Sequence, residues 1–218
     1  MSYAQRRVIF LPGASGDGRF WQPVAERLPP CTKIFIDYPG AGRIPHSPLV
    51  RSFDDLVAMT MRHMDRPVDL VAQSMGGVVA VRAALRRPQR VRRLVLTATS
   101  GGVNFKSFNH REWRDQYRRE YPSAADWVTA YRVDLTDQFS HLNVPTLLLW
   151  SDTDEISPLA VGKHLATLLP HADLVVVRGG DHMFARDRAD EVAPYIARHL
   201  FSRGHDTFTE QLPHDIFM

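Results

Sequence analysis

Ser74 lies between the apolar run "VDLVAQ" and the helical pattern "MGGVVAVRAALRR". A serine hydroxyl is not nucleophilic at neutral pH unless a base takes its proton, and an imidazole base needs a carboxylate to orient it. The sequence holds all three residue types, each just past an apolar run. Ser74 follows "VDLVAQ", Asp152, Asp154 and Glu155 lie in "LLLWSDTDEISP", and His182 lies in "VVVRGGDHMFARD". If those runs are parallel strands, the three positions share one rim of a sheet, where ligands bind in open parallel sheets. Two glycines just inside a helix weaken it, so Gly76 and Gly77 were not chosen for helix stability. They fit a tight strand–turn–helix with a strained backbone at Ser74. Ala72 and Gly76 are small enough to let the turn close, and Gly77 allows close helix–strand contact. This is the G-x-S-x-G pattern with alanine in first place.

Acyl chemistry at Ser74 also needs donors for a developing oxyanion. The backbone N–H of Met75, at the start of the helix, is one candidate. The N–H of Ala14, in the loop "LPGASGDG" after the first apolar run, is the other. That loop is not a phosphate cradle: it lacks G-x-x-x-x-G-K-[ST], and "GDGRFW" lacks the last glycine of G-x-G-x-x-G.

Six apolar runs must position these groups: "RVIFLPG", "KIFIDYPG", "VDLVAQS", "RLVLTATS", "PTLLLWSD" and "ADLVVVRGG". They are mostly continuous rather than alternating, as strands buried on both faces are. Helical patterns lie between them, from "GRFWQPVAERL" to "RADEVAPYIARHL". The expected fold is α/β: a mostly parallel sheet of about six strands, helices on both faces and a small helical cap. The cap is expected at about 101–143, where "HREWRDQYRREY" and "AADWVTAYRV" read as amphipathic helices. Within it Trp113, Tyr117 and Phe105 are candidate substrate contacts. Arg111, Arg114 and Arg118 fall at helical spacing on one face, and burial of the aromatic face would turn them to solvent. Residues 202–218 read as a C-terminal extension of one domain spanning 1–218.

The chain has 218 residues and a formal net charge of +3. Its basic residues are nearly all arginine, interleaved with acids along helices, and no nucleic-acid motif accompanies them. A nucleic-acid partner is therefore not expected. One cysteine, Cys31, excludes an intrachain disulfide framework. With no secretory apolar core and no membrane-length run, the expected location is the cytoplasm. The remaining histidines show no ligand spacing, so neither a metal nor another cofactor is expected. The expected partner is a small acyl molecule; the oligomeric state is not legible.

The chain resembles the α/β-hydrolase superfamily, in its serine-nucleophile, esterase-like branch. "DYPGAGRIP", "DLVAQSMGG", "RPQRVRRLVLTAT", "PTLLLWSDTDEISP" and "GGDHMF" carry the likeness across nearly the whole core. The family's functional aspartate lies four residues before the proline, which singles out Asp154 from its acidic neighbours. The resemblance implies a Ser74–Asp154–His182 triad and hydrolysis of a small ester, lactone or thioester through an acyl-serine. It also leaves room for a cofactor-free lyase or oxygenase, or for a non-enzymatic sensor that retains the triad. Three departures stand out. Pro12-Gly13 replaces the usual His-Gly, Gln73 precedes the serine, and the two leading antiparallel strands of the full fold are not expected.

Overall fold

The computed structural model describes residues 5–104 and 108–202. Its sheet has six strands: β1 (Arg7–Leu11), β2 (Thr32–Phe35), β3 (Val68–Gln73), β4 (Val91–Thr97), β5 (Thr146–Ser151) and β6 (Ala172–Val177). Their order is β2-β1-β3-β4-β5-β6, and every pairing is parallel. The strand order reverses between β1 and β3, which opens a crevice at their carboxyl ends. β3 is buried at every position, as its unbroken apolar run predicts, whereas the edge strand β2 is exposed at both ends and half-buried between them.

The register aligns the strand ends. Leu11 pairs with Ala72, Gln73 with Thr97, and Ser151 with Val177. The loops after β1, β3, β5 and β6 therefore emerge on one rim.

Side chains alternate across the sheet and feed two cores. Ile9, Leu11, Leu70, Leu94, Leu96, Leu148 and Trp150 pack beneath α2 (Phe53–Arg62), α3 (Met75–Arg86) and α6 (Leu159–Leu168). Val8, Phe10, Val71, Val95, Leu147 and Leu149 pack against α1 (Gln22–Glu26) and α8 (Ala189–Phe201), with the short α7 (Phe184–Asp187) beside them. α2 begins where Ser52 Oγ accepts the amide of Asp55 at 3.1 Å, with Asp54 and Asp55 favourably placed in its first turn.

Between β4 and β5 the helices are shorter than the periodicity predicts. α4 spans Arg114–Glu120 and α5 only Trp127–Ala130. The residues from His110 to Trp113 are not helical. The Glu112 carboxylate accepts the amide of Arg114 at 2.9 Å, and the amide of Arg111 donates to the carbonyl of Glu155 at 2.7 Å. Those bonds satisfy the segment outside a helix. Tyr121 precedes Pro122 and is pushed out of helical geometry, which ends α4. Arg111 thus precedes α4 and does not share a helical face with Arg114 and Arg118. Tyr117, Trp127, Val128 and Phe139 of this segment belong to the core beneath α3. Phe105 and the extension from residue 203 onward lie outside the described residues.

Candidate active site

Ser74 has φ 52 and ψ −122, a backbone conformation that costs a non-glycine residue about 1–3 kcal/mol. Its neighbours hold it there. The amide of Ser74 donates to the carbonyl of Thr97 at 3.0 Å, and the Ser74 carbonyl accepts from Thr99 Oγ1 at 2.5 Å and Gly77 N at 2.9 Å. A methyl group on Gly76 would lie 2.4 Å from the carbonyl oxygen of Pro12, and one on Gly77 2.3 Å from Thr99 Oγ1. Both glycines are thus required by contact. The Ser74 hydroxyl does not cap α3. It lies 2.9 Å from His182 Nε2 instead.

His182 follows β6 in a loop turned by Gly179 and Gly180, at φ 70 and 97. Three side chains brace that loop. Ser151 Oγ and Thr153 Oγ1 donate to the Gly180 carbonyl at 2.5 and 2.6 Å, and Gln73 Nε2 donates to the His182 carbonyl at 3.1 Å. Sequence reasoning missed all three. The polar side chains at the ends of the apolar runs, Gln73 and Ser151, were the available signal.

His182 Nδ1 lies 2.8 Å from Asp154 Oδ2. The Asp154 side chain is fully buried, and its Oδ1 accepts the amides of Ile156 at 2.8 Å and Ser157 at 3.0 Å. An ionised carboxylate only accepts, so Nδ1 carries the imidazole proton and Nε2 presents its lone pair to Ser74 Oγ. The neighbouring acids are engaged elsewhere. Asp152 Oδ1 accepts the amide of Gly179 at 2.6 Å, and Glu155 is exposed and lies 3.5 Å from Arg111 Nη1. Asp181 closes a turn by accepting the amide of Met183 at 2.7 Å.

Two cavities meet at Ser74, His182, Trp113 and Ile156. One, of about 650 Å³, runs past Met75 to His110, Arg114 and Arg132; the other, of about 590 Å³, runs past Ala14 to Tyr117 and Met183. Met75 lines the first and Ala14 the second, and Ser74 lines both. Trp113 stands at the junction, edge-on to Tyr117 with ring centres 5.7 Å apart. The expectation that all the arginines face solvent fails at Arg114. Its guanidinium sits 4.9 Å over the Trp113 ring and bonds Glu112 at 3.2 Å, which holds it at the cavity wall. Arg118 is half-exposed and paired with Asp115.

A family model described as the alpha/beta hydrolase family matches residues 8–195. The chain belongs to the alpha/beta hydrolase family. Among curated relatives, this hydrolase is 22% identical over 249 residues to pimeloyl-[acyl-carrier protein] methyl ester esterase of Aliivibrio salmonicida, covering 92% of this chain and 94% of the relative. It is 32% identical over 131 residues to 2-succinyl-6-hydroxy-2,4-cyclohexadiene-1-carboxylate synthase of Salmonella arizonae, covering 55% and 52%. The second match spans about half of each chain. A solved thermophilic esterase from Thermogutta terrifontis has the same fold, with a TM-score of 0.74, 21% identity and coverage of 91% and 90%. Among the described residues of this hydrolase, no helix is long and apolar enough to cross a membrane, and no cluster of three metal-ligating side chains occurs.

Proposed function

We propose that this hydrolase cleaves small esters or related acyl compounds through an acyl-Ser74 intermediate. The reading is carried by the hydrogen-bonded line Ser74 Oγ–His182–Asp154, ending on a serine held in a strained turn. His182 Nε2 takes the hydroxyl proton as Ser74 Oγ attacks the acyl carbon. The carbonyl oxygen becomes an oxyanion, facing the N–H groups of Met75 and Ala14. His182 returns the proton to the leaving group, and a water then repeats the sequence on the acyl-enzyme. Asp154 keeps the imidazole in the required tautomer throughout.

Two cavities meeting at Ser74 suit a substrate with a group on each side of the scissile bond, as an ester has. The similarity to a methyl ester esterase supports a small alcohol as leaving group. Trp113, and the segment around α4 that bears it, form a lid over the junction in this reading. The partial similarity to a cyclohexadiene carboxylate synthase favours a second reading, a cofactor-free lyase on the same fold in which the His182–Asp154 pair acts as the base without an acyl-enzyme.

A fluorophosphonate probe and p-nitrophenyl esters of graded chain length distinguish the two readings. The wild type is expected to label at Ser74 with one equivalent of probe and to release nitrophenol in a burst. Ser74→Ala is expected to abolish both while remaining folded. Labelling that persists in the variant moves the nucleophile elsewhere. Absence of an acyl-enzyme in the wild type with any ester overturns the hydrolase reading in favour of the second.

A further inference from the structure

Tyr117 is 7% exposed, and its hydroxyl makes two hydrogen bonds to loops far away in the chain. It accepts the amide N–H of Gly42 at 2.6 Å and donates to the carbonyl of Ala14 at 2.9 Å. The ring therefore bridges α4 to the loops after β1 and β2. We infer that Tyr117 is a positioning residue for the oxyanion site: by holding the Ala14 carbonyl, and with it the Ala14–Ser15 peptide, it fixes the place of the loop that carries the Ala14 N–H, rather than contacting substrate through its hydroxyl. This rests on the reading of Ser74 as nucleophile.

The loop is held on both sides of Ala14, and Tyr117 supplies the hold on the side of its carbonyl. Gly13, on one side, is pressed against Gln73; a methyl group there would lie 2.3 Å from Gln73 Oε1. Gly16, on the other side, donates to the carbonyl of Gly13 at 3.1 Å and accepts from the amide of Tyr38 at 2.8 Å. Gly42 sits so close to Ser15 that a methyl group on it would lie 2.2 Å from the Ser15 carbonyl oxygen. Ala14 stands between these anchors, and the described bond to its carbonyl comes from Tyr117. Burial pushes the Tyr117 phenol up to about 12, so it remains a donor throughout the working range of an esterase. The oxyanion site is then completed by a residue of α4, and the segment between β4 and β5 becomes part of the catalytic geometry.

Tyr117→Phe removes one oxygen and keeps the ring. Outright loss of an oxyanion donor costs about 10²–10³ in kcat. Loss of a group that only positions the loop bearing the donor is expected to cost less, roughly 10–100-fold, with KM within about twofold. Affinity for a trifluoromethyl ketone, which forms the tetrahedral adduct, is expected to fall in step with kcat, whereas inhibition by the product acid is expected to be unchanged. Circular dichroism and a melt confirm that the variant is folded. If it is unstable, the amide proton of Gly42 in the wild type supplies the second measurement. Its exchange with solvent is expected to slow when the ketone binds, and an unchanged rate overturns the inference. Unchanged kcat and ketone affinity in a folded Tyr117→Phe overturn it, as does a rise in KM alone. Failure of the wild type to label at Ser74 overturns the nucleophile reading and this inference together; normal labelling with an unaffected variant overturns this inference alone.

Discussion

Asp152 and Asp154 are two residues apart in one loop, yet they meet different partners. Asp154 accepts from His182 and two amides, whereas Asp152 accepts the amide of Gly179 and so shapes the loop that carries the histidine. Substitution by asparagine separates the two roles. In Asp154→Asn the amide side chain presents a donor to Nδ1 and favours the wrong tautomer. Turnover of p-nitrophenyl acetate is expected to fall by about 10⁴. In Asp152→Asn the carbonyl oxygen still accepts from Gly179, and the loss is expected to stay within about tenfold, the scale of one weakened hydrogen bond. Steady-state kinetics of both variants check this, and a larger loss for Asp152→Asn would exchange the assignments. At the same scale, Ser74, Asp154 and His182 each stand out by type at the end of an apolar run, whereas Gln73, Ser151 and Thr153 become supports only when the β3, β5 and β6 loops converge.

The turn from β3 into α3 shows how closely the elements are fitted. The Cβ of an alanine at position 76 would lie 2.4 Å from the Pro12 carbonyl oxygen and 2.6 Å from that of Leu11. Both are backbone atoms of the β1 end and cannot rotate away. Gly76→Ala therefore forces α3 away from β1, against its own gain in helix propensity. The expected cost is about 1–3 kcal/mol of stability, from overpacking. The same shift moves the Met75 N–H relative to Ala14, so turnover falls too. Thermal unfolding and ester kinetics test both, and wild-type values in each would show that the junction is looser than its contacts imply. The segment between β4 and β5 was read less well from sequence. Its aromatic and arginine spacing matches an amphipathic helix through His110, but Glu112 and the Glu155 carbonyl take over amides that a helix would have used. Competition of this kind between side-chain and backbone partners leaves the spacing unchanged and is not visible in it.

At the scale of the whole molecule, the rim opposite the candidate active site holds buried ionisable groups. Asp69 is fully buried at the start of β3 and bonds Arg92 at 2.9 and 3.1 Å; burial raises its pKa, against the pull of Arg92. His199 of α8 is 5% exposed, and burial lowers its pKa from 6.5 to about 4, helped by the charge of Arg93. Between those two values the unfolded chain binds a proton that the folded chain refuses. The contribution of His199 to stability is therefore complete above about pH 6.5 and is lost as the pH falls toward 4, by roughly 3 kcal/mol over the full interval. Denaturant titrations between pH 7 and 4.5 are expected to show that decline. His199→Leu is expected to flatten it, and an identical acid slope in the variant would remove His199 as its source.

The sequence by itself determined the parallel sheet, the number of its strands and the rim on which Ser74, the acid loop and His182 stand. Strands buried on both faces must be continuously apolar, and tight turns after them need small residues; both constraints act on neighbours in the chain. Tertiary structure decided where α4 begins, and that Arg114 lines a cavity while the Tyr117 hydroxyl seizes the Ala14 loop. Those outcomes depend on pairs up to 103 positions apart, as Tyr117 and Ala14 are. Local periodicity gives a side chain its face, but the packing of distant loops gives it a partner.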